Sequence, residues 1–451
     1  MNDRSVVSSA AAEVAVAAPP SEFRVSEGYR QYVLWLLFAI YVFNFADRSI
    51  LAVLVQPIKA EFGLSDAQLG ILGGLAFALL YSTLGIPLAR LADRGNRVSI
   101  IAASLFTWSL FTGLTGFARN FTHLLLARIA VGIGEAGCSP PAYSLIADYF
   151  EKKRRATALA TYSMGISGGV FLGFMVAAGI AQAYGWRAAF FALGLPGMLL
   201  SVVVKLTLRE PPRGFSDGVV TVADPPPVAQ VLKTLWSKRA FRHLSIAAAL
   251  TSFHGYGAGA FYPAFLMRTH GMSMVEVGGK LGLCSAIGGF IGAYAGGRLA
   301  DALGNKHNDP RYQLWLPAVA LLVNIPIALT SYQMQTVTGT LSVLVLALAV
   351  GAMYLGPTYA ATQSLLAPRE RALGSALLLF IINLVGLGFG PLLTGVLSDV
   401  FRTKLIAGGM SDPAATAAGL VWSLRAMIVI NVWAAVHYVL AARTLRRDAT
   451  A

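Results

Sequence analysis

The run Tyr32-Val-Leu-Trp-Leu-Leu-Phe-Ala-Ile-Tyr-Val-Phe-Asn-Phe-Ala-Asp47-Arg48-Ser-Ile-Leu-Ala-Val-Leu-Val55 is 24 residues long and apolar almost throughout. Coiled as an α-helix at about 1.5 Å per residue, it crosses the ~30 Å hydrocarbon core of a bilayer. Asp47 and Arg48 stand side by side inside it. Charges at that depth are disfavoured by roughly 2.5–3.5 kcal/mol each on insertion scales, so they generally face a bundle interior and mark a pathway. The pair predicts a polar site buried inside a membrane protein.

Composition places the whole chain in that class. Hydrophobic residues make up 56% of it and charged residues 12%, with a mean hydropathy of +0.65. A soluble domain carries about 25% charge, so there is too little polar surface here to face water. Cys138 and Cys284 both fall in apolar segments, which suggests neither a disulfide framework nor a cysteine metal site. Residues 1–29, rich in Ala, Val and Ser with Pro19-Pro20, lack the compact apolar core of a signal peptide. They are expected to form a disordered cytoplasmic tail.

The formal charge of +14 could suggest nucleic acid, but its placement excludes that reading. Basic residues crowd alternate loops: Arg90, Arg94 and Arg97; Lys152 to Arg155; Arg209 to Arg242; Arg298, Lys306 and Arg311; Arg369 and Arg371; Arg443 to Arg447. The intervening loops hold few. This is the positive-inside asymmetry, and it puts both termini in the cytoplasm. The localisation expected is a bacterial inner membrane.

Apolar stretches of spanning length occur at 31–56, 68–91, 98–118, 122–147, 157–183, 186–208, 240–266, 275–300, 313–333, 338–361, 372–400 and 419–442. Each is far longer than the ~10-residue strand of a membrane barrel, so an all-α protein of twelve transmembrane helices is expected. The polar interruption from Arg209 to Lys238 holds Pro211-Pro212 and Pro225-Pro226-Pro227. It separates a bundle over 30–208 from one over 240–445, with a cytoplasmic linker at 209–239 and a tail at 446–451.

The two halves repeat. Phe62-Gly-Leu-Ser65 returns as His270-Gly-Met-Ser273, and Leu91-Ala-Asp93 as Leu299-Ala-Asp301, both 208 residues on. Pro141-x-Tyr143 returns as Pro357-x-Tyr359, and Arg155-Ala156 as Arg371-Ala372, both 216 residues on. An eight-residue insertion accounts for the change. Register held over four landmarks indicates duplication, and parallel six-helix halves are a plan of secondary transporters whose substrate sits near midplane.

With these landmarks in place the chain resembles the major facilitator superfamily. Gly85-x3-Ala-Arg-Leu-Ala-Asp93-Arg94-Gly95-Asn96-Arg97 is similar to that superfamily's signature between helices 2 and 3, with Ala89 where glycine is usual. A degenerate copy, Gly297-Arg-Leu-Ala-Asp301-Ala-Leu-Gly-Asn305-Lys306, lies between helices 8 and 9. Arg128-x3-Gly132-x-Gly134-Glu135 resembles the helix-4 motif. Within the superfamily the spinster group is the best match. The shared features are Asn44-Phe-Ala-Asp47-Arg48, Phe62-Gly-Leu-Ser-Asp-Ala-Gln-Leu-Gly70, Leu145-Ile-Ala-Asp148-Tyr-Phe and Arg209-Glu-Pro-Pro-Arg-Gly214. The resemblance implies a transporter of lysolipids or sphingoid phosphates, with proton linkage.

Candidate site residues follow from depth. Arg128 and Glu135 are seven residues apart, about 10.5 Å along a helix and on nearly the same face. Asp47 lies about 24 Å along its own span, at an overlapping depth. Asp47, Arg48, Arg128 and Glu135 could thus form one cluster in the N-terminal half. A buried carboxylate there changes protonation as its partners and water access change, so Asp47 and Glu135 are the candidate proton-coupling groups. Either arginine could instead hold an anionic head group, and a purely structural network joining helices 1 and 4 is the alternative.

Asp93, Arg94 and Arg97, with Asp301, Asn305 and Lys306 in the repeat, are the candidate gating loops, able to hold one state closed. Positive-inside anchoring would account for Arg94 and Arg97 alone. Asn44, Tyr162, His254, Tyr256, Tyr359, Gln363 and Asn383 are candidate cavity residues, each with interhelical hydrogen bonding as the competing role. His254 is also a candidate second proton site. The glycine runs at 165–173 and 386–390 suit close packing or kinks. Neither a nucleotide-binding Gly-x4-Gly-Lys-Ser/Thr loop nor His-Glu-x-x-His is present, so neither a cofactor nor a metal is implied and the chain is not expected to be an enzyme. The reading is a monomeric secondary transporter of an amphiphilic anion, by alternating access with protons. A small organic anion or drug is the alternative cargo, and a non-transporting receptor or scaffold the alternative class.

Overall fold

The computed structural model describes residues 23–216, 227–366 and 370–450. The expected N-terminal tail falls largely outside them. The first described residues pack: Phe23 sits edge-on to Phe215 at 5.0 Å, and Ser26 caps α1 through the Tyr29 N–H.

The helices in chain order are α1 (Glu27–Phe62), α2 (Asp66–Gly70, Ile71–Leu75 and Ala76–Arg94) and α3 (Arg97–Thr115). There follow α4 (Phe121–Glu135 and Ser139–Tyr149), α5 (Lys152–Tyr184) and α6 (Trp186–Thr207). A short linker helix, Val228–Ser237, leads to the second half: α7 (Arg239–His270), α8 (Met274–His307) and α9 (Arg311–Ser331). The set ends with α10 (Val337–Ala352 and Leu355–Ser364), α11 (Arg371–Ile381, Ile382–Phe389 and Gly390–Ala407) and α12 (Asp412–Ile428 and Ile430–Thr450). Eleven of these twelve are long and apolar enough to cross a membrane. The twelfth, α7, is 32 residues long, and His243, Ser245, Thr251, Ser252, His254 and Tyr256 make it more polar.

The duplication is visible in the backbone. Gly63 and Gly271 end α1 and α7 in the left-handed region, at φ 62° and 63°, where only glycine pays little steric cost. Two residues later Ser65 and Ser273 each cap the next helix in a full capping box, with Gln68 and Glu276. Pro141 and Pro357 lie early in the second segments of the broken helices α4 and α10. The middle segments of α2 and α11 are π-helical, a local widening often found where helices do functional work.

Chain ends and loops sort to two ends of the bundle. Glu27 of α1 pairs with Arg154 of α5 at 2.6 Å, and Asp448 of α12 accepts from the Ala240 N–H of α7; these mark the near end. At the far end Glu61 accepts from Arg187 of α6 at 2.6 Å. The repeat exchanges α2 with α8 and α5 with α11, so the contacts α2·α11 and α5·α8 are one arrangement used twice. Both are made by glycine. A Cβ on Gly70 would meet the Pro391 carbonyl oxygen at 2.3 Å, and one on Gly278 the Phe174 carbonyl oxygen at 2.6 Å. Within the first half, Gly169 and Gly173 bring α5 onto α1, where added methyls would reach Val42 O and Ala46 Cα at 2.5 and 2.6 Å. This is the backbone approach small residues permit in membrane helices.

Candidate functional site

The four charged residues singled out by depth meet. Arg48 Nε donates to Glu135 Oε2 at 2.6 Å, and Arg128 Nη1 lies 3.7 Å from Asp47 Oδ2. Asp47, Arg128 and Glu135 are buried, at 3%, 4% and 1% exposure. Thr112 of α3 donates to Asp47 Oδ1 at 2.5 Å, and Arg128 Nε to the Leu72 carbonyl at 3.4 Å. The cluster thus ties α1 and α4 to α2 and α3. Close packing holds it in place, since a Cβ on Gly132 would strike the Phe77 carbonyl oxygen at 2.6 Å.

Arg48 is the member that reaches open space, its side chain 18% exposed. Its guanidinium lies against the rings of Phe45, Phe77 and Tyr81 at 5.0, 4.9 and 4.4 Å, and Arg128 lies against Phe77 at 5.2 Å. Such cation–π contacts offset part of the cost of holding a guanidinium out of water. Two carboxylates and two guanidiniums sum to no net charge, but their bonding is incomplete: Asp47 Oδ2 and Glu135 Oε1 are buried without a hydrogen-bond partner. Each acid therefore keeps one oxygen able to take a proton.

Across from this cluster stand tyrosines of both halves. Tyr256 of α7 is 40% exposed and close enough to Arg48 and Tyr81 to interact electrostatically, as Tyr359 is to Tyr81, Tyr143 and Tyr256. Tyr143 is 40% exposed and meets Tyr162 edge-on at 5.3 Å. Tyr162 itself is buried and stacked on Tyr41 at 4.2 Å. Asn44, His254 and Asn383 are buried, and neither amide atom of Asn44 nor Nε2 of His254 has a partner. Gln363 is exposed and donates to Ser375 at 3.2 Å.

The candidate gating residues separate. Arg97 is fully buried: it donates to Glu210 at 2.6 Å, Ser144 at 2.8 Å and the Pro211 carbonyl at 2.9 Å, and pairs with Asp148. None of these partners lies in the second half: Arg97 clamps α3 and α4 to the start of the linker after α6. Arg94 is exposed, and the Asp93 side chain lies outside the described residues. Asp301, Asn305 and Lys306 are exposed. In the repeat the buried acid is Asp309, which accepts from Arg311 at 2.8 Å and pairs with Arg446 at 3.0 Å.

Sequence reasoning missed the bonds that join the two halves. At the far end Arg268 of α7 forks onto Asp66, the first residue of α2, at 2.7 and 2.8 Å. Lys59 at 2.5 Å and Ser398 of α11 at 2.7 Å complete the Asp66 carboxylate. Asp399 of α11 in turn accepts from the Asp66 and Ala67 N–H groups at 3.0 and 2.8 Å. In sequence, Asp66 reads as an ordinary first-turn acid at a helix N-terminus.

The sequence model of the Major Facilitator Superfamily matches residues 37–391. The chain belongs to that superfamily. It is 34% identical over 408 residues to an MFS-type efflux pump of Mycolicibacterium smegmatis, covering 90% of this chain and 91% of that one. It is 26% identical over 368 residues to a probable galactarate/D-glucarate transporter of Bacillus subtilis, covering 76% of this chain and 80% of the other. Among solved structures it superposes with a TM-score of 0.86, at 36% identity, on a bacterial homologue of the human lysosomal transporter Spinster in an inward-facing, unoccupied conformation. That match covers 94% of this chain and 99% of the other. The protein is an integral multi-pass membrane transporter of small molecules, spinster-like within a superfamily of transporters rather than enzymes.

Proposed function

We propose that this transporter moves an amphiphilic anionic lipid, of the lysophospholipid or sphingoid phosphate kind, by proton-coupled alternating access. The observation that carries the reading is the Arg48–Glu135 pair. Arg48 is the cation at the open edge of the cluster, and one buried acid holds it. Protonating Glu135 cancels the charge that holds Arg48 and frees the fork for a phosphate. A phosphate that captures Arg48 leaves Glu135 unpaired in a low-dielectric site, which favours its protonation. Proton and anion therefore promote each other's binding, a coupling that is reciprocal by thermodynamic necessity. Asp47, held by Thr112 and Arg128, is the second titrating group, and Tyr81, Tyr143, Tyr256 and Tyr359 offer aromatic surface to the apolar part of the cargo.

The far-end bonds between Asp66, Arg268 and Asp399 support a state sealed at that end. Loop charge supports the near end as cytoplasmic, and the likeness to an inward-facing homologue agrees with both. We read the protein as a monomer in a bacterial inner membrane, with both termini in the cytoplasm. Asp301, Asn305, Lys306 and Arg94, exposed at the near end, serve as contacts of the opposite state.

A second reading, a small organic anion, is favoured by the likeness to a galactarate/D-glucarate transporter. Purified protein in liposomes separates the two. Measure flux of a radiolabelled lysophospholipid and of labelled galactarate under the same proton gradient. Lipid flux without sugar-acid flux supports the first reading; the reverse result replaces it with the second.

A further inference from the structure

The far end of the second half holds a cavity of about 540 Å³ that the charged cluster does not use. It lies among the last turn of α7, the turn after α9, and α12. Arg425 of α12 is its cation. The guanidinium lies against Trp422 at 5.4 Å, and its Nε is buried with no hydrogen-bond partner. None of the lining residues is acidic. Thr269, His270, Tyr332, Gln333 and Gln335 also line it, with His270 Nε2 bonded to Thr340, the Tyr332 hydroxyl to Tyr262 and Gln335 Nε2 to the Gln333 carbonyl.

A buried guanidinium N–H without a partner bears the full cost of its lost hydration. Arg425 lines the cavity, and an oxyanion held beside its guanidinium offsets part of that cost. The volume lies within the roughly 300–1,000 Å³ range of small-molecule sites, and a guanidinium fork matches an oxyanion. The Thr269 hydroxyl, the Gln333 amide and the second N–H of Gln335, added to the guanidinium, suit the three terminal oxygens of a phosphate better than the two of a carboxylate. We infer that this cavity is a second anion site, centred on Arg425 and selective for a phosphate group, free or on a lipid headgroup. All its residues belong to the second half, so it does not depend on the central cavity. Thr269 and His270 directly follow Arg268, so an occupant touches the same helix end that seals the two halves.

The test is equilibrium binding to the full chain in detergent, with radiolabelled inorganic phosphate and with hexyl phosphate as a headgroup mimic. Because the transport reading makes Arg48 an anion-binding cation, all variants are read in the Arg48→Gln background, where saturable binding is expected to persist. Arg425→Gln, and Gln335→Glu at the exposed rim, are expected to bind about tenfold or more weakly, as loss of a charge-assisted bond or addition of a repelling charge requires. Gln335→Glu keeps the test decisive should Arg425→Gln fail to fold. Tighter binding of hexyl phosphate identifies a headgroup as the source, and equal binding identifies free phosphate; either supports the site. Binding unchanged in both cavity variants, binding lost in Arg48→Gln instead, or no saturable binding to wild type overturns it. Because flux through the central cavity is not read, failure here and failure of the lipid-transport reading are separate results.

Discussion

Arg268 and Asp66, 202 residues apart in sequence, form a two-pronged ion pair at 2.7 and 2.8 Å that joins the halves of the molecule at one end. Asp66 is 1% exposed and the Arg268 side chain 8%. Stranding a lone buried charge costs about 3–5 kcal/mol; removing one partner here costs less than that, because Asp66 keeps Lys59 and Ser398 and Arg268 keeps Gln56. That cost falls on the sealed state, because opening the far end rehydrates both groups. Asp66→Asn and Arg268→Ala are therefore expected to move the balance of states by about one to two orders of magnitude. Spin labels at the exposed Ala60 and Lys404 would read it as a longer distance population, with no such change in an Arg97→Lys control.

The glycines at the same seam predict a steric version of that result. In Gly70→Ala the new methyl lies 2.3 Å from Pro391 O, a position no real Cβ occupies. The far end then cannot close as it stands, and the same labels should report separation while the melting temperature changes little. Gly134→Ala makes an equally close contact, 2.6 Å to Trp108 N, but inside one half. Overpacking there costs about 1–3 kcal/mol of stability, so a lower melting temperature with an unchanged label distance is expected.

Much of this architecture could be read from the chain because it rests on local rules. Spanning length, loop charge and the 208-residue repeat each follow from composition along a single helix or turn, and Gly63, Ser65, Gly271 and Ser273 take the caps their residue types suit. The Asp47, Arg48, Arg128 and Glu135 cluster was legible because four charges in apolar spans must find one another. Asp66 and Arg268 were not, since both sit at helix ends where a charge needs no partner. Their pairing depends on how two distant helices are docked. The partners of Arg97 were not legible for the same reason: in sequence it is one basic residue in a basic loop, and the acids that bury it, Asp148 and Glu210, lie on other elements.

Asp309 predicts a pH effect at the near end. The Arg311 side chain, through its hydrogen bond, holds this carboxyl below its ordinary value, and Arg446 adds to the effect. A carboxylate with a depressed folded-state pKa contributes stability that is present above the unfolded value and lost as pH falls through the folded one. Asp309→Asn should thus melt earlier than wild type near neutrality. The gap should close as pH drops below the usual carboxylate range. Thermal melts of both proteins across pH 3–7 check this; a gap that stays constant contradicts it.

The central claim is that Glu135 and Asp47 carry the proton whose binding frees Arg48 for the anion. Reconstituted wild type, Glu135→Gln and Asp47→Asn should be compared for lysophospholipid flux with and without an imposed pH gradient. Flux in wild type should respond to the gradient, and in Glu135→Gln the response should vanish while exchange at equal pH persists, with Asp47→Asn impaired in the same sense. Gradient-dependent flux in both variants equal to wild type would contradict the account.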